Sequence, residues 1–384
     1  VRSRAARAIH RERDLRCRTW VRIVATCHGI GNFTCYDAPR MRRYLFFVSQ
    51  LYAWAILRPI AAAAAARGDE VAWFFEHEAD ARYLRAGEHR LTTVAQVRAW
   101  QPRAVFVPGN WVPHFFPGLK VEVFHGFSVG KRSEARGHFR IRGSFDLYCT
   151  HGPDTTGPFA ALAQQHGYFR VVETGWPKLD PLFAGRYPPA AHARPVVLFA
   201  STFTESITAA RALRETIARL TATGEWDWLL TLHPKMAPDI VAAYRALEGP
   251  QVRFVETDDI LALYAQADVL LSDTSSVVPE FLVQLKPVVT LRNRKPGPQL
   301  LDVQRPEDVE GALRTALTRP APLMQAIREY ADLVHPARDG HASERVLDAA
   351  EAAIAARRAG LRRAPFNLWR RLQARKRLGY WSLG

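Results

Sequence analysis

From Arg43 onward, short β-branched and aromatic runs alternate with helix-length stretches in two successive series, and few folds accept that order. The first series predicts strands at 44–49, 71–76, 104–107, 121–124, 145–150 and 170–174, with helices at 51–67, 93–100 and 155–166. A Pro- and Ala-rich loop at 187–195 follows. The second series predicts strands at 196–200, 228–232, 252–255, 269–271 and 288–291, helices at 209–221, 237–247 and 260–265, and further helices to the end. Strands separated by helices run parallel, with the helices covering both faces of the sheet. The expected fold class is therefore α/β, two Rossmann-like doubly wound parallel-sheet domains facing across a cleft.

The chain has 384 residues and is 48% apolar, enough for two such cores. Its formal net charge of +16 sits mostly at the ends. Residues 1–22 carry eight Arg against Glu12 and Asp14; residues 357–384 carry eight Arg and Lys376 with no acid, which leaves the body near neutral. A nucleic-acid enzyme concentrates its positive stripe on the folded body, so no nucleic-acid partner is expected. The tail mixes Arg pairs with Leu361, Phe366, Leu368 and Trp369, a pattern suited to an anionic membrane surface; its bland alternative is a solvated end that binds nothing. Residues 1–40 are expected to be a disordered basic extension.

Cys17, Cys27, Cys35 and Cys149 show no metal-ligand spacing and suit a reducing cytoplasm. The stretch 41–68 imitates a secretory signal, but Gln50 and Arg58 interrupt its apolar run and a strand follows, so it reads as strand and helix. Nothing else is long enough to span a bilayer.

Candidate chemistry gathers where predicted strands end, the edge at which parallel sheets open onto a ligand. His125-Gly126 follows Val121–Phe124 and precedes a basic loop holding Lys131, Arg132, Arg136, His138, Arg140 and Arg142, so the ring can take a proton from a hydroxyl while the loop holds an acidic acceptor. In isolation it would read as a solvated loop. His233 ends the strand at 228–232, with Pro234 fixing the backbone; as a donor it can stabilise charge on a leaving phosphate, though a lone histidine before proline is commonly structural. The segment Asp273-Thr274-Ser275-Ser276 leaves the strand at 269–271 and enters a helix that Ser275 or Ser276 can cap, giving an anion site without lysine. Asp273 would repel phosphate and is expected to orient the loop, whereas Glu280, one turn on, can accept from ribose hydroxyls. There is no Gly-x-x-x-x-Gly-Lys loop, no Gly-x-Gly-x-x-Gly at the first helix, no His-Glu-x-x-His and no Asp-x-Asp pair.

Taken together, His125-Gly126 with Lys131, Gly175-Trp176-Pro177-Lys178-Leu179-Asp180, Ala200-Ser201-Thr202, Leu232-His233-Pro234 and Asp273-Thr274-Ser275-Ser276 with Glu280 resemble the CDP-glycerol glycerophosphotransferase family of teichoic-acid and capsule polymerases, over about residues 115–290. The resemblance implies a GT-B fold and transfer of a polyol phosphate from a CDP-linked donor to a hydroxyl of a lipid-linked or polymeric acceptor, releasing CMP. It implies a peripheral enzyme at the cytoplasmic face of the bacterial inner membrane. Residues 41–187 would then be the acceptor domain, 195–335 the CDP-donor domain, and 336–384 C-terminal helices with a membrane-associating tail. His125 matches the catalytic base and His233 the second histidine near the donor phosphates. Donor-binding positions are Thr202, Asp273, Ser275, Ser276 and Glu280; acceptor-binding positions are Lys131, Arg132 and Arg136. No metal ligands and no required cofactor are implied, and a role for a divalent ion stays open. Where the family has a Thr-Pro-Leu-Lys run, this chain has Phe127-Ser128-Val129-Gly130-Lys131, and Thr274 replaces a usual Tyr. Rival readings are a GT-B glycosyltransferase or sugar-nucleotide epimerase acting on a nucleotide sugar, and a non-catalytic membrane-bound scaffold.

Overall fold

In the computed structural model, which describes residues 41–127, 137–188, 192–257 and 259–382, the strands form two six-stranded sheets in which every pairing is parallel. The expectations for residues 1–40 and for Lys131, Arg132 and Arg136 lie outside the described residues. The first sheet contains β1 (Arg43–Val48), β2 (Glu70–Phe75), β3 (Ala104–Val107), β4 (Leu119–Glu122), β5 (Leu147–Thr150) and β6 (Arg170–Glu173), in the order β2-β1-β3-β4-β5-β6. The second contains β7 (Val196–Ser201), β8 (Asp227–Leu232), β9 (Val252–Phe254), β10 (Val269–Ser272), β11 (Val288–Leu291) and β12 (Leu301–Val303), in the order β12-β11-β10-β7-β8-β9.

Central strands are apolar on both faces because helices cover both. From Tyr44 to Val48 every residue of β1 is fully buried, as a parallel interior requires. The short β12 carries Asp302 in mid-strand, whose carboxylate accepts from Thr290 Oγ1 at 2.7 Å and from Asn293 N at 2.8 Å. A three-residue, half-buried strand with an acid at its centre gives no apolar run, so its pattern did not predict a strand.

The α-helices longer than one turn among the described residues are α1 (Ala53–Ala66), α2 (Val94–Trp100), α3 (Pro153–His166), α4 (Ala210–Ala222), α5 (Pro238–Arg245), α6 (Ile260–Gln266), α7 (Val277–Leu282), α8 (Val309–Leu317), α9 (Ala321–Val334), α10 (Ala342–Ala355) and α11 (Leu368–Leu378). Among the described residues, none is long and apolar enough to cross a membrane.

In each sheet the strand order reverses beside the first strand of that half, between β1 and β3 and between β7 and β10. Loops leaving such neighbours diverge to opposite faces and leave a crevice beyond the strands' carboxyl ends. The described residues form one compact unit, and one apolar cluster joins the sheets: Phe46 and Val121 of the first pack in the same core as Leu198 and Leu270 of the second and Leu347 of α10. The chain returns to the first sheet at its end. The Asp180 carboxylate accepts from Ala342 N at 2.9 Å and Ser343 N at 2.7 Å at the start of α10, and Tyr44 donates to Glu351 at 2.8 Å.

Candidate active site

At the first switch point the loop after β3 passes tightly over the end of β1. A Cβ on Gly109 would lie 3.1 Å from Ser49 Oγ, so glycine permits the approach. One strand over, the chain leaving β4 turns at Phe124, whose φ of +55° is strained for an aromatic residue. Its ring is buried against His138, Phe159 and His151, at centroid distances of 4.8, 5.0 and 5.5 Å. Anchoring that ring inside sends the next side chain, His125, outward to the exposed rim. There His125 lies 5.4 Å from the Tyr52 ring, and its Nδ1 is 3.3 Å from the Pro108 carbonyl oxygen. A carbonyl can only accept, so Nδ1 carries the proton and Nε2 is the basic nitrogen of the neutral ring.

The second switch point is built by Asp273, which leaves β10 fully buried. Its carboxylate accepts from Ser201 Oγ at 2.5 Å, from Thr202 N at 3.1 Å and from Ala209 N at 3.0 Å, tying the loop after β7 to the start of α4. Thr274 Oγ1 accepts from Arg294 N at 2.9 Å, and Asn293 Nδ2 donates to the Asp273 carbonyl at 3.3 Å. Ser275 borders a cavity of about 240 Å³ lined also by Thr274, Asn293, Lys295, Gln299 and Tyr330. His233, exposed beyond β8, packs 4.3 Å from the Phe203 ring, centroid to centroid. Its Nδ1 accepts from Lys235 N at 3.0 Å. That amide can only donate, so in the neutral ring Nε2 bears the proton. The two histidines therefore present opposite chemistry at Nε2.

Two expectations are corrected. Neither serine caps α7 through its side chain: Ser276 is the N-cap residue but has helical angles, φ −67° and ψ −18°, where an effective cap needs extended backbone, and the turn is made instead by Ser275 N donating to the Asp273 carbonyl at 2.9 Å. Glu280 does not open onto a ribose. It is buried, with Oε2 accepting from Lys178 Nζ at 2.6 Å and from Tyr264 at 3.1 Å, so it ties the turn Pro177–Leu179 after the first sheet to the second. Thr202 and Ser275 are buried and Ser276 half-buried.

Other groups near the first switch point were passed over by the sequence reading, or, like His138, counted only within the basic loop. Glu122 ends β4 buried, and burial pushes its carboxyl up to about 8 against the opposing pull of Arg142. The only signal was an acid inside Val121-Glu122-Val123. His138, His151 and His335 pack beneath Phe124 and Phe127, all held neutral by burial, with His138 and His335 lowered to about 4. His335 Nε2 accepts from Trp176 N at 2.8 Å, fixing the turn that carries Lys178. Among the described residues, no three His, Cys, Asp or Glu side chains gather to hold a metal ion.

Residues 134–294 match the family described as CDP-Glycerol:Poly(glycerophosphate) glycerophosphotransferase. No curated protein matches the chain in sequence. Among solved structures, the wall teichoic acid polymerase TagF is 14% identical, covering 83% of this chain and 89% of its own at a TM-score of 0.59. A putative UDP-N-acetylglucosamine 2-epimerase from Listeria monocytogenes is 13% identical over 82% of this chain and 96% of its own, TM-score 0.57. The S. aureus MnaA–UDP co-structure is 14% identical over 82% and 97%, TM-score 0.58. At these identities the likeness shows the fold, the GT-B arrangement of two parallel-sheet halves flanked by helices.

Proposed function

We propose, from the match of residues 134–294 to the CDP-glycerol glycerophosphotransferase family, that this chain is a transferase moving glycerol phosphate or a similar polyol phosphate from a CDP-linked donor to an acceptor hydroxyl. The observation that carries the division of roles is the opposed hydrogen bonding of the two histidines. His125 Nε2 takes the proton of the acceptor hydroxyl. Its oxygen attacks the phosphorus bearing the polyol, and the bond from that phosphorus to the CMP oxygen breaks, its electron pair leaving with CMP. The Nε2–H of His233 donates to the phosphate oxygens as charge develops, with the backbone around Ser275 and Ser276 holding the diphosphate. Asp273 shapes the loop that presents Thr202. Glu280 acts from behind, by fixing Lys178 and the relation of the two halves.

The donor is a substrate, and the proposed chemistry uses no resident cofactor. The acceptor is lipid-linked or polymeric, presented where the protein lies peripherally on the cytoplasmic face of the bacterial inner membrane. Epimerases share the fold as fully as TagF does, so the family match decides between donors. Purified protein should release CMP from CDP-glycerol or CDP-ribitol in the presence of an acceptor. Release of UDP from UDP-N-acetylglucosamine, with CDP donors inert, would overturn the reading.

A further inference from the structure

A cavity of about 660 Å³ lies away from Ser275, between the loop after β3, the start of β4, the segment leading into β5, and α11. Its walls carry Arg140, Arg142, Arg358, Arg370, Arg371 and Arg377, with Lys120 behind them and a single acid, Asp146. That acid is already engaged, accepting from Lys120 N at 3.0 Å and pairing with Arg358 at 3.4 Å. Arg377 has a distant partner in Glu76 at 3.6 Å and lies over the Trp111 ring. Among the described residues none of Arg140, Arg142, Arg370 and Arg371 makes an ion pair, although most arginines of the body do. Arg142 is instead aimed by Asn110, to whose side chain it donates at 2.9 Å. The concentrated charge is felt by His114 on the cavity wall, which burial and the neighbouring Arg371 lower to about 4.

The cationic pocket is a built one. Asn367 Nδ2 donates to the Arg142 carbonyl at 3.2 Å, Arg362 N to the Gly167 carbonyl at 2.8 Å, and Arg98 to the Tyr380 hydroxyl at 2.5 Å, so the tail is pinned to the first half. The same tail leaves Trp369 71%, Phe366 63% and Trp381 59% exposed. Large aromatic rings beside unpaired guanidinium groups match a membrane interface, with phosphate below and acyl chains alongside.

We propose that this cavity binds the phosphate group of an anionic membrane lipid, with Arg370 and Arg371 gripping the headgroup while Phe366 and Trp369 enter the bilayer interface. The proposal rests on the membrane placement given above and not on the reaction. Full-length protein is sedimented with vesicles of phosphatidylglycerol or of phosphatidylcholine, and is titrated separately with inorganic phosphate. Wild type should prefer the anionic vesicles, and inorganic phosphate should displace it from them more than chloride does at matched ionic strength. Arg370→Ser with Arg371→Ser should weaken anionic-vesicle binding about 30-fold, equivalent to about 1 kcal/mol for each arginine, and should weaken phosphate binding too. Phe366→Ser with Trp369→Ser should lose vesicle binding alone. Phosphate binding without any preference for anionic vesicles would overturn the lipid assignment in favour of a soluble phosphate ligand. Unchanged vesicle binding in a folded Arg double variant, or equal displacement of wild type by chloride and phosphate, would overturn the site itself. CMP release from CDP-glycerol in solution reports on the reaction alone, so its failure leaves the vesicle result standing.

Discussion

His125 and His233 both stand just beyond a parallel strand, yet they are held by opposite bonds: one gives its Nδ1 proton to a carbonyl, the other receives an amide proton there. Their surroundings differ in the same sense. Around the second switch point a buried carboxylate collects donors from two loops, so the backbone that would meet phosphate is fixed in advance. Around the first, a strained Phe124 and a layer of packed rings hold a single exposed imidazole. Hydrogen bonds organise the half that would grip charge in the proposed reaction, and packing organises the half that would admit an acceptor.

The sharpest way to break this contrast is His125→Ala, for which kcat should fall roughly a thousandfold, within the range for losing a general base, while CDP affinity by calorimetry stays within about twofold. Equal loss of both would mean that the halves do not divide the work. Lys178→Met tests the tie between them: it strands the buried Glu280 carboxylate and should cost about 3 kcal/mol in urea unfolding, with Glu280→Gln added to it recovering most of the loss. His233→Ala should lower kcat about a hundredfold, as removal of one charge-stabilising donor does, and His233→Gln, which keeps an N–H, should recover part of it. Asp273→Asn presents an amide to backbone donors; stability should drop by about 2 kcal/mol and CDP should bind more weakly, with His125-dependent chemistry otherwise intact.

The remaining expected effect is on pH. His138 and His335 have folded-state values near 4, below the ordinary 6.5, so unfolded chains take up protons first as pH falls. Stability from these rings is complete above pH 6.5 and is lost between 6.5 and about 4. Urea midpoints at pH 7.5 and 5 should show the decline, and His138→Phe should flatten it. A midpoint unchanged with pH would count against the packed-ring account of the first half.

Most of the sheet was legible from sequence because fully covered parallel strands must be apolar throughout, as in Tyr44-Leu45-Phe46-Phe47-Val48. The positions of His125, His233 and Asp273 followed from where those runs stop. What was not legible depended on partners far along the chain. Glu280 is read naturally as facing a ligand until Lys178, 102 residues away, is found on it. The tautomers were invisible for a related reason, since backbone groups of Pro108 and Lys235 set them and no residue type announces that. The helix cap failed on dihedral angles, which serine does not dictate.

The return of α10 to the first sheet has a consequence for how the molecule is made. Asp180 waits for amides 162 and 163 residues downstream, and Tyr44 for a carboxylate 307 residues on. A growing polypeptide therefore cannot finish its earliest half until nearly all of it has left the ribosome, and long sequence separations of this kind slow folding. The front half must spend the whole of synthesis with a face uncovered, which makes a late stop codon as damaging to residues synthesised first as to those it removes.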